Sequence, residues 1–304
     1  MSIMFEKIAV LGLGHISSSI CHGVKTAGLA KTIVGHAKSA ETRRVALEIG
    51  LVSQVFENPI DAVKDADLVI LCVPIGVCGA LTMAVGPHLK PGSIFTDVGS
   101  VKGAIVRDCG PHIPDGVHFI PGHPLAGTEQ SGPRSGFAEL FHHRWCILTP
   151  VAGTDIAAIE KLTKFWEALG SNVEVMTADH HDLVLAITSH LPHLIAYNTV
   201  ATAADLETVT NSEVIKYSAT GFRDFTRIAA SDPTMWRDIF LNNKEAVLEM
   251  LGRFTEELAV LQRAVRWGDG ETLFNLFTRA REVRRGIIAA GQDTAAPNFG
   301  RGKS

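Results

Sequence analysis

Short apolar runs alternate with stretches of helical periodicity over the first half of the chain. The apolar runs lie near residues 7–11, 31–34, 52–56, 67–74, 93–97, 117–121, 145–149 and 172–176. Helical patterns cover residues 16–27 and 40–49 between the first of these runs. The run at 67–74 is apolar on both faces, as a strand buried inside a parallel sheet must be. This alternation predicts an α/β fold with a doubly wound, mostly parallel sheet.

The pattern changes near residue 178, after which only helical patterns follow. They cover residues 180–204, 211–217, 233–262 and 270–290, and apolar residues recur at helical spacing between 241 and 261. We therefore expect a dinucleotide-binding sheet domain over residues 1–178 and an all-helical C-terminal domain over residues 179–291. Residues 292–304, which include Pro, Gly and Lys, are predicted to form a disordered tail.

Loops with glycine, proline or short polar residues follow four of the predicted strands. They lie at residues 12–15, 73–74, 97–102 and 122–124. In doubly wound sheets, ligands bind in the crevice outside the carboxyl ends of the strands. Four such loops at one edge of the sheet therefore predict a ligand crevice there.

The loop after the first strand reads GLGHIS and matches the dinucleotide fingerprint, with Ser17 in place of the third glycine. The first glycine of this motif allows a tight turn and the second lets the backbone approach a pyrophosphate. The following helix start attracts phosphate. We therefore expect a Rossmann-type sheet that binds NADP or NAD. The predicted cofactor-binding residues are Gly12, Leu13, Gly14, His15, Ile16, Ser17, His36, Lys38, Val73 and Pro74.

The residues after the second strand bear on which nicotinamide cofactor is bound. NAD-specific sheets place a carboxylate about 20 residues beyond the glycines, where it holds the ribose 2′-hydroxyl. This chain has no acid there before Glu41, and instead carries His36, Lys38 and the pair Arg43 and Arg44. Basic side chains at this position suit a 2′-phosphate, although they also fit a solvated helix face. The sequence favours NADP over NAD.

Composition narrows the class of protein further. The chain has 304 residues, is 46% hydrophobic and carries a formal net charge of −4, without a basic block that would indicate nucleic acid. No apolar run is long enough to span a membrane, and the N-terminus lacks the basic region of a signal peptide. The five cysteines form no CxxC pair. We expect a soluble, cytoplasmic protein, with neither nucleic acid nor membrane as a partner.

The stretch GHPLAGTEQSG, residues 122–132, places His123 between a glycine and a proline at the end of a predicted strand. Gly and Pro here fit a turn required by the backbone alone. They also fit a rigid loop that holds an imidazole in a cleft for proton chemistry. Histidines also occur at 180, 181, 190 and 193, but no HExxH motif or cysteine accompanies them, so no metal site is predicted.

Four motifs occur in the order of one known family. They are GSVK (99–102), GHPLAGTEQSG (122–132), HHDLVLAITSHLPH (180–193) and GFRDFTRIAASDPTMW (221–236). With them the chain resembles the prephenate/arogenate, or cyclohexadienyl, dehydrogenase family from about residue 5 to about 245. The resemblance implies oxidative decarboxylation of prephenate to 4-hydroxyphenylpyruvate, or of arogenate to tyrosine, with hydride transfer to NAD(P). The substrate is a small dicarboxylate.

The resemblance also implies residue roles. His123 accepts the proton of the substrate hydroxyl, and Ser100 hydrogen-bonds the same hydroxyl. Arg227, with His190 or His193, binds the substrate carboxylates, since arginine can make a bidentate contact. Trp236 closes the site from this chain or from a neighbouring subunit. The predicted substrate-binding residues are Glu129, Ser189, His190, His193, Arg227 and Trp236.

Two other readings remain open from the residues themselves. One is another two-domain dehydrogenase, acting on a 3-hydroxyacid or an imine. Such an enzyme leaves the SHLPH and GFRDFTR motifs unexplained. The other is a module that senses a dinucleotide without turnover, which has no need for both His123 and Ser100. The long apolar helices of the second half, together with the resemblance, imply a homodimer formed through that domain.

Overall fold

The computed structural model describes residues 3–127, 130–210 and 216–289. Within these ranges, strands and helices alternate first and helices alone follow the last strand. The strands are β1 (Phe5–Leu11), β2 (Ala30–His36), β3 (Gln54–Phe56), β4 (Leu68–Leu71), β5 (Ile94–Asp97), β6 (His118–Phe119), β7 (Gly122–Pro124), β8 (Trp145–Leu148) and β9 (Asn172–Val175).

The α-helices connect the strands and then make up the second half of the described chain. They are α1 (His15–Ala27), α2 (Ala40–Glu48), α3 (Pro59–Val63), α4 (Ile75–Val85), α5 (Lys102–Cys109), α6 (Ile156–Ala168), α7 (Ala178–Leu185), α8 (Leu191–Thr210), α9 (Thr220–Thr226), α10 (Pro233–Asn242), α11 (Lys244–Trp267) and α12 (Gly270–Ala289). Side-chain oxygens of Ser39, Thr177 and Asp232 accept a backbone N–H at the starts of α2, α7 and α10. Such caps satisfy donors that have no partner within a helix.

Strands β1 to β6 form one parallel sheet in the order β3-β2-β1-β4-β5-β6. Side chains alternate between the two faces of a strand. In β1, Ile8 and Val10 belong to one buried cluster, while Ala9 and Leu11 belong to another. Both faces of the sheet are therefore covered, which confirms the predicted doubly wound parallel sheet.

The last two apolar runs do not extend this sheet. Strands β8 and β9 pair with each other in parallel, and β7 pairs with β8 antiparallel, giving a separate three-stranded sheet. An apolar run predicts a strand but does not identify its partner, so this division was not visible in the sequence. Its consequence is that His123 lies on a strand, opposite Ile147, rather than in a turn.

The helical half contains two interruptions. Residues Ala186–His190 form a π-helical turn between α7 and α8. Pro192 lies two residues beyond this turn and has no N–H to donate to the carbonyl of Thr188, which explains why the α-helical pattern breaks here. The predicted helix at 233–262 is divided at Asn243, which has φ −109° and ψ 34°.

By their internal packing the residues form two units, one reaching from Met1 to Val247 and one beginning at Leu248. Both pockets considered below belong to the first unit. The domain boundary near residue 178 stays a prediction. The predicted tail at 292–304 and most of the predicted helix at 211–217 lie outside the described residues. Among the helices of the described chain, none is long and apolar enough to cross a membrane.

Candidate active site

The glycine loop lies between β1 and α1 and borders a cavity of about 600 Å³. Gly12 has φ +100°, and a Cβ built on it would lie 2.3 Å from the carbonyl oxygen of Cys72. Both observations require glycine at this position. A Cβ on Gly14, in contrast, would meet nothing within 4 Å, so the backbone there is open to an approaching phosphate. The loop fits a dinucleotide.

Most of the predicted cofactor residues border this cavity. They are Gly12, Leu13, Gly14, His36, Lys38, Val73 and Pro74. His15, Ile16 and Ser17 are not part of its lining. His15 instead has its Nδ1 3.0 Å from Oγ of Ser135, and the Ser17 hydroxyl donates to the carbonyl of Gly14.

The cations near the end of β2 differ in their surroundings. Lys38 is exposed and lines the cavity. Arg43 donates to the carbonyls of Ala37 and Lys38 and pairs with Glu57 at 3.2 Å, while Arg44 pairs with acids on its own helix. No carboxylate lines the cavity within the described residues. This lining therefore accommodates a 2′-phosphate more readily than a lining with an acid at the end of β2 would.

A second cavity, of about 510 Å³, is lined on one side by residues at β5 and β7 and on the other by residues of the helical half. Its volume is in the range of small-molecule sites. Its lining includes six of the predicted catalytic and substrate-binding residues, which are Ser100, His123, Ser189, His193, Arg227 and Trp236. The loops after β4 and β5 supply the two cavities, and these strands are neighbours in the sheet.

His123 is held between the sheet and helix α7. Only 8% of its surface is exposed, and its Nδ1 lies 2.9 Å from Nε2 of His181. Burial, followed by the electrostatic effects of His181, Lys102 and His190, lowers the pKa of His123 well below its ordinary 6.5. The side chain is therefore a neutral imidazole near pH 7, the form that can accept a proton.

A buried ion pair fixes the loop that carries Ser100 and the strand that carries His123. The Lys102 ammonium contacts Asp97 at the end of β5 and donates to the carbonyl of Gly122 at 2.7 Å. Asp97 also accepts the backbone N–H groups of Gly99 and Gly122. Lys102 therefore joins β5 to β7.

The π-helical turn presents polar groups to the second cavity. Ser189 belongs to this turn, and Nδ1 of His193 lies 2.8 Å from its carbonyl oxygen. A carbonyl only accepts, so Nδ1 of His193 carries the hydrogen and Nε2 is left for a ligand. The ring stacks on Trp236 with centroids 3.6 Å apart. Trp236 of the same chain therefore forms one wall of this cavity.

Arg227 begins a short 3₁₀ turn after α9 and is the only Lys or Arg in the lining of this cavity, as far as the described residues show. It is exposed, and its charge contributes to a lowered pKa of His193, after the larger effect of burial. A permanent cation beside an apolar cavity can bind a carboxylate. Glu129, the residue expected at the mouth, lies outside the described residues.

His190 is the one described substrate-site candidate that does not line the cavity. It is fully buried, its Nδ1 lies 3.0 Å from Nδ2 of Asn243, and its Nε2 has no partner among the described residues. His190 and His193 are three residues apart, and the sequence did not choose between them. The structure brings only His193 to the cavity.

Burial of His190 should make stability depend on pH. Desolvation lowers its pKa from 6.5 to about 4, so the unfolded chain binds a proton that the folded chain does not. The free energy of unfolding should fall as pH drops through this window, by about 1.4 kcal/mol per pH unit from this group. Between about pH 7 and pH 5, the His190→Gln variant should lose roughly 2 kcal/mol less than the wild-type protein in urea unfolding.

His180 supplies the control for this experiment. It is exposed on α7, so His180→Gln should keep the wild-type pH dependence. Equal losses in the His190→Gln and wild-type proteins would contradict a neutral, buried His190.

A glycine loop on a doubly wound sheet, beside a cavity holding a neutral histidine, defines a dinucleotide-dependent oxidoreductase. The family comparisons identify which kind. Residues 20–175 match the model of the prephenate dehydrogenase nucleotide-binding domain, and residues 177–279 match that of the prephenate dehydrogenase dimerization domain. The chain belongs to the prephenate dehydrogenase family.

Individual relatives agree with this assignment. The chain is 41% identical to a cyclohexadienyl dehydrogenase of Zymomonas mobilis, covering 92% of this chain and 96% of that one. It is 33% identical to a prephenate dehydrogenase of Bacillus subtilis, with coverage of 98% and 80%. Among solved structures, it is similar to the prephenate dehydrogenase from Aquifex aeolicus in complex with hydroxyphenyl propionate and NAD+. That match has a TM-score of 0.87 and 31% identity, over 94% of this chain and 99% of that one.

Proposed function

We propose that this enzyme catalyses the oxidative decarboxylation of prephenate, arogenate or both, in tyrosine biosynthesis. The products are 4-hydroxyphenylpyruvate and tyrosine, respectively. The observation that carries the proposal is the buried imidazole of His123, whose pKa burial lowers, in a cavity whose described lining also contains Ser100 and Arg227. Membership of the prephenate dehydrogenase family supports it.

The residues provide for each part of this reaction. A nicotinamide held at the glycine loop would supply the acceptor for the hydride that leaves the carbinol carbon of the substrate. His123 takes the hydroxyl proton, so that the carbon–oxygen bond can gain double-bond character. Ser100 donates a hydrogen bond to the same oxygen and orients it. The ring carboxylate leaves as CO2, and its electron pair completes the aromatic ring, after which the proton returns from His123 to the phenolic oxygen.

The cavity also suits the two carboxylates and the ring of the substrate. Arg227 offers a fork of donors to one carboxylate. Ser189 adds a hydroxyl to the same lining, and a carboxylate bound next to His193 would favour the protonated ring, in which Nε2 donates. Apolar groups of Leu125, Ile239 and Trp236 form the walls around the ring. Glu129 is proposed to lie at the mouth, as the family resemblance implies.

The cofactor is NAD or NADP, bound at the glycine loop. We propose NADP as the preferred form, because Lys38 lines the cavity and the lining, as far as it is described, contains no acid. We further propose a homodimer formed through the helical domain, in keeping with the dimerization-domain model that matches it. A cytoplasmic location stays a prediction of the sequence.

The proposed function predicts the outcome of a direct assay. Purified protein mixed with prephenate or arogenate should generate reduced nicotinamide, detected by its absorbance, together with CO2. The value of kcat/KM should be higher with NADP than with NAD, and Lys38→Ala should lower it about fivefold with NADP alone, as expected for one exposed charged contact. Lys31→Ala is the control, since Lys31 is exposed and pairs with Glu6 away from the cavity.

Turnover of neither substrate with either cofactor would contradict the proposed function. A kcat/KM about tenfold higher with NAD, equivalent to roughly 1.4 kcal/mol, would contradict only the cofactor preference.

A further inference from the structure

A row of buried side chains lies behind His123 on the side away from the cavity. Nδ1 of His123 is 2.9 Å from Nε2 of His181, and Nδ1 of His181 is 2.8 Å from Oδ1 of Asp182. His181 is fully buried and Asp182 is 8% exposed. Three side chains from two distant parts of the sequence therefore form one hydrogen-bonded chain.

Asp182 is fixed at the far end of this chain by the start of helix α5. Its Oδ1 accepts the backbone N–H of Lys102 at 2.7 Å, and its Oδ2 accepts that of Gly103 at 2.8 Å. Val101, which precedes the helix, makes no side-chain cap of its own. Asp182 thus caps a helix from another part of the chain, where the helix dipole favours a negative charge.

The close approach of Asp182 depends on the small size of Gly103. A Cβ built on Gly103 would lie 2.9 Å from Oδ2 of Asp182, which is closer than real Cβ contacts allow. The backbone carbonyl of Asp182 also accepts Nδ2 of Asn243 at 2.9 Å. Asp182 is therefore held in place through both its side chain and its backbone.

These contacts determine which ring nitrogens carry hydrogen. Asp182 accepts two backbone N–H groups and so acts as an acceptor toward His181, whose Nδ1 must donate. In neutral His181, Nε2 is then the acceptor, so Nδ1 of His123 must be the donor in the next bond. The nitrogen of His123 left with a free lone pair is Nε2, on the side opposite His181.

We propose that His181 is a positioning residue which, oriented by Asp182, fixes the tautomer and ring orientation of His123 so that Nε2 faces the substrate hydroxyl. This role rests on the proposed function of His123 as the proton acceptor. When Nε2 of His123 takes the proton and the substrate O–H bond breaks, the imidazolium keeps its Nδ1–H bond to neutral His181. The carboxylate of Asp182 then lies at the end of the row, where it offsets the new positive charge.

The ammonium of Lys102 explains why His123 needs the row that His181 and Asp182 form behind it. It lies close enough to His123 and His181 to disfavour a positive charge on either ring, although Asp97 partly offsets it. A second histidine without an orienting carboxylate could rotate or adopt the other tautomer. The carboxylate of Asp182 removes that freedom.

The first test needs no substrate. Nitrogen NMR of protein labelled with ¹⁵N-histidine distinguishes protonated from unprotonated ring nitrogens, and the His123→Asn variant assigns the signals of His123. At neutral pH we expect Nδ1 of His123 to be protonated and Nε2 to be unprotonated. The opposite tautomer, or an equal mixture, would overturn the proposal whether or not the protein turns over prephenate.

The second test compares two substitutions of His181. Gln can still accept from Nδ1 of His123, whereas Leu keeps the bulk and cannot. His181→Leu should lower kcat by about 10–100-fold with little change in KM, as for other residues that orient a functional histidine, and His181→Gln should recover most of the loss. His180→Leu, an exposed neighbour on the same helix, is the matched control.

A merely structural role predicts a different result. Both variants of His181 would then lose activity in proportion to their loss of thermal stability, and Gln would give no recovery in kcat. That outcome would overturn the proposal, and the tautomer measured in the wild-type protein decides the matter if the Leu variant does not fold.

Discussion

The kcat of the His123→Asn variant is expected to fall roughly 10²–10⁴-fold, which is the usual contribution of general acid–base catalysis, while cofactor binding stays unchanged. Asn is similar in size and polarity but cannot accept a proton near neutral pH. His123 lines the second cavity, whereas the glycine loop and Lys38 line the first. The substitution should therefore alter the chemical step and leave the dinucleotide site intact. Steady-state kinetics, with cofactor titration by fluorescence, measure both quantities.

The exposed His88 provides the control for this prediction. It lies in a 3₁₀ turn after α4 and borders neither cavity. His88→Asn should therefore keep the wild-type kcat. A kcat near the wild-type value in His123→Asn would remove His123 from the role of proton acceptor.

The same residue sets the expected pH dependence. Burial, and after it the electrostatic effects of His181, Lys102 and His190, hold the pKa of His123 well below 6.5. The carboxylates of Asp97 and Asp182 contact Lys102 and His181, and Arg227 lines the same cavity as His123. The base is active when neutral, so kcat/KM should stay level as pH falls through 6.5 and decline only at lower pH. An acid limb centred at or above 6.5 would contradict a buried, neutral base.

Much of the fold and of the candidate site could be predicted from local patterns. Period and composition distinguish strands from helices, and a parallel sheet brings the ends of β1, β4 and β5 to one edge. The glycine loop and Ser100 follow directly from this rule. The requirement for glycine at position 12 is also local, since the turn there needs a positive φ.

What could not be predicted depends on contacts between distant residues. The HHD motif at 180–182 suggests capping at a helix start, and Asp182 does cap a helix, but that helix begins 80 residues earlier at Lys102. The pairing of His123 with His181 likewise spans 58 residues. Which of His190 and His193 faces the cavity depends on the π-helical turn, whose extra residue changes the face that each side chain occupies. No periodicity reports such a turn.

The Arg227→Ala variant is expected to raise KM for prephenate or arogenate by about 10–100-fold, with a smaller effect on kcat. One hydrogen-bonded contact to a charged group contributes about 1.5–3 kcal/mol, and the exposure of Arg227 places the effect within that range rather than above it. Arg227→Lys keeps the charge but loses the two-pronged contact, so its KM should lie between those of the wild type and the Ala variant. Arg223→Ala is the control, because Arg223 is exposed four residues earlier and does not line the cavity.

A ligand with only one carboxylate identifies the group that Arg227 binds. Hydroxyphenyl propionate, the molecule bound in the Aquifex aeolicus relative, keeps the side-chain carboxylate and lacks the ring carboxylate that leaves as CO2. If Arg227 holds the ring carboxylate, Arg227→Ala should weaken substrate binding and leave the Kd of this ligand unchanged. If it holds the side-chain carboxylate, both should weaken in parallel, and the ring carboxylate would then be left to Ser189 and His193. An unchanged KM in Arg227→Ala would assign Arg227 to structure, because the only arginine that lines the described part of the cavity would then bind neither carboxylate.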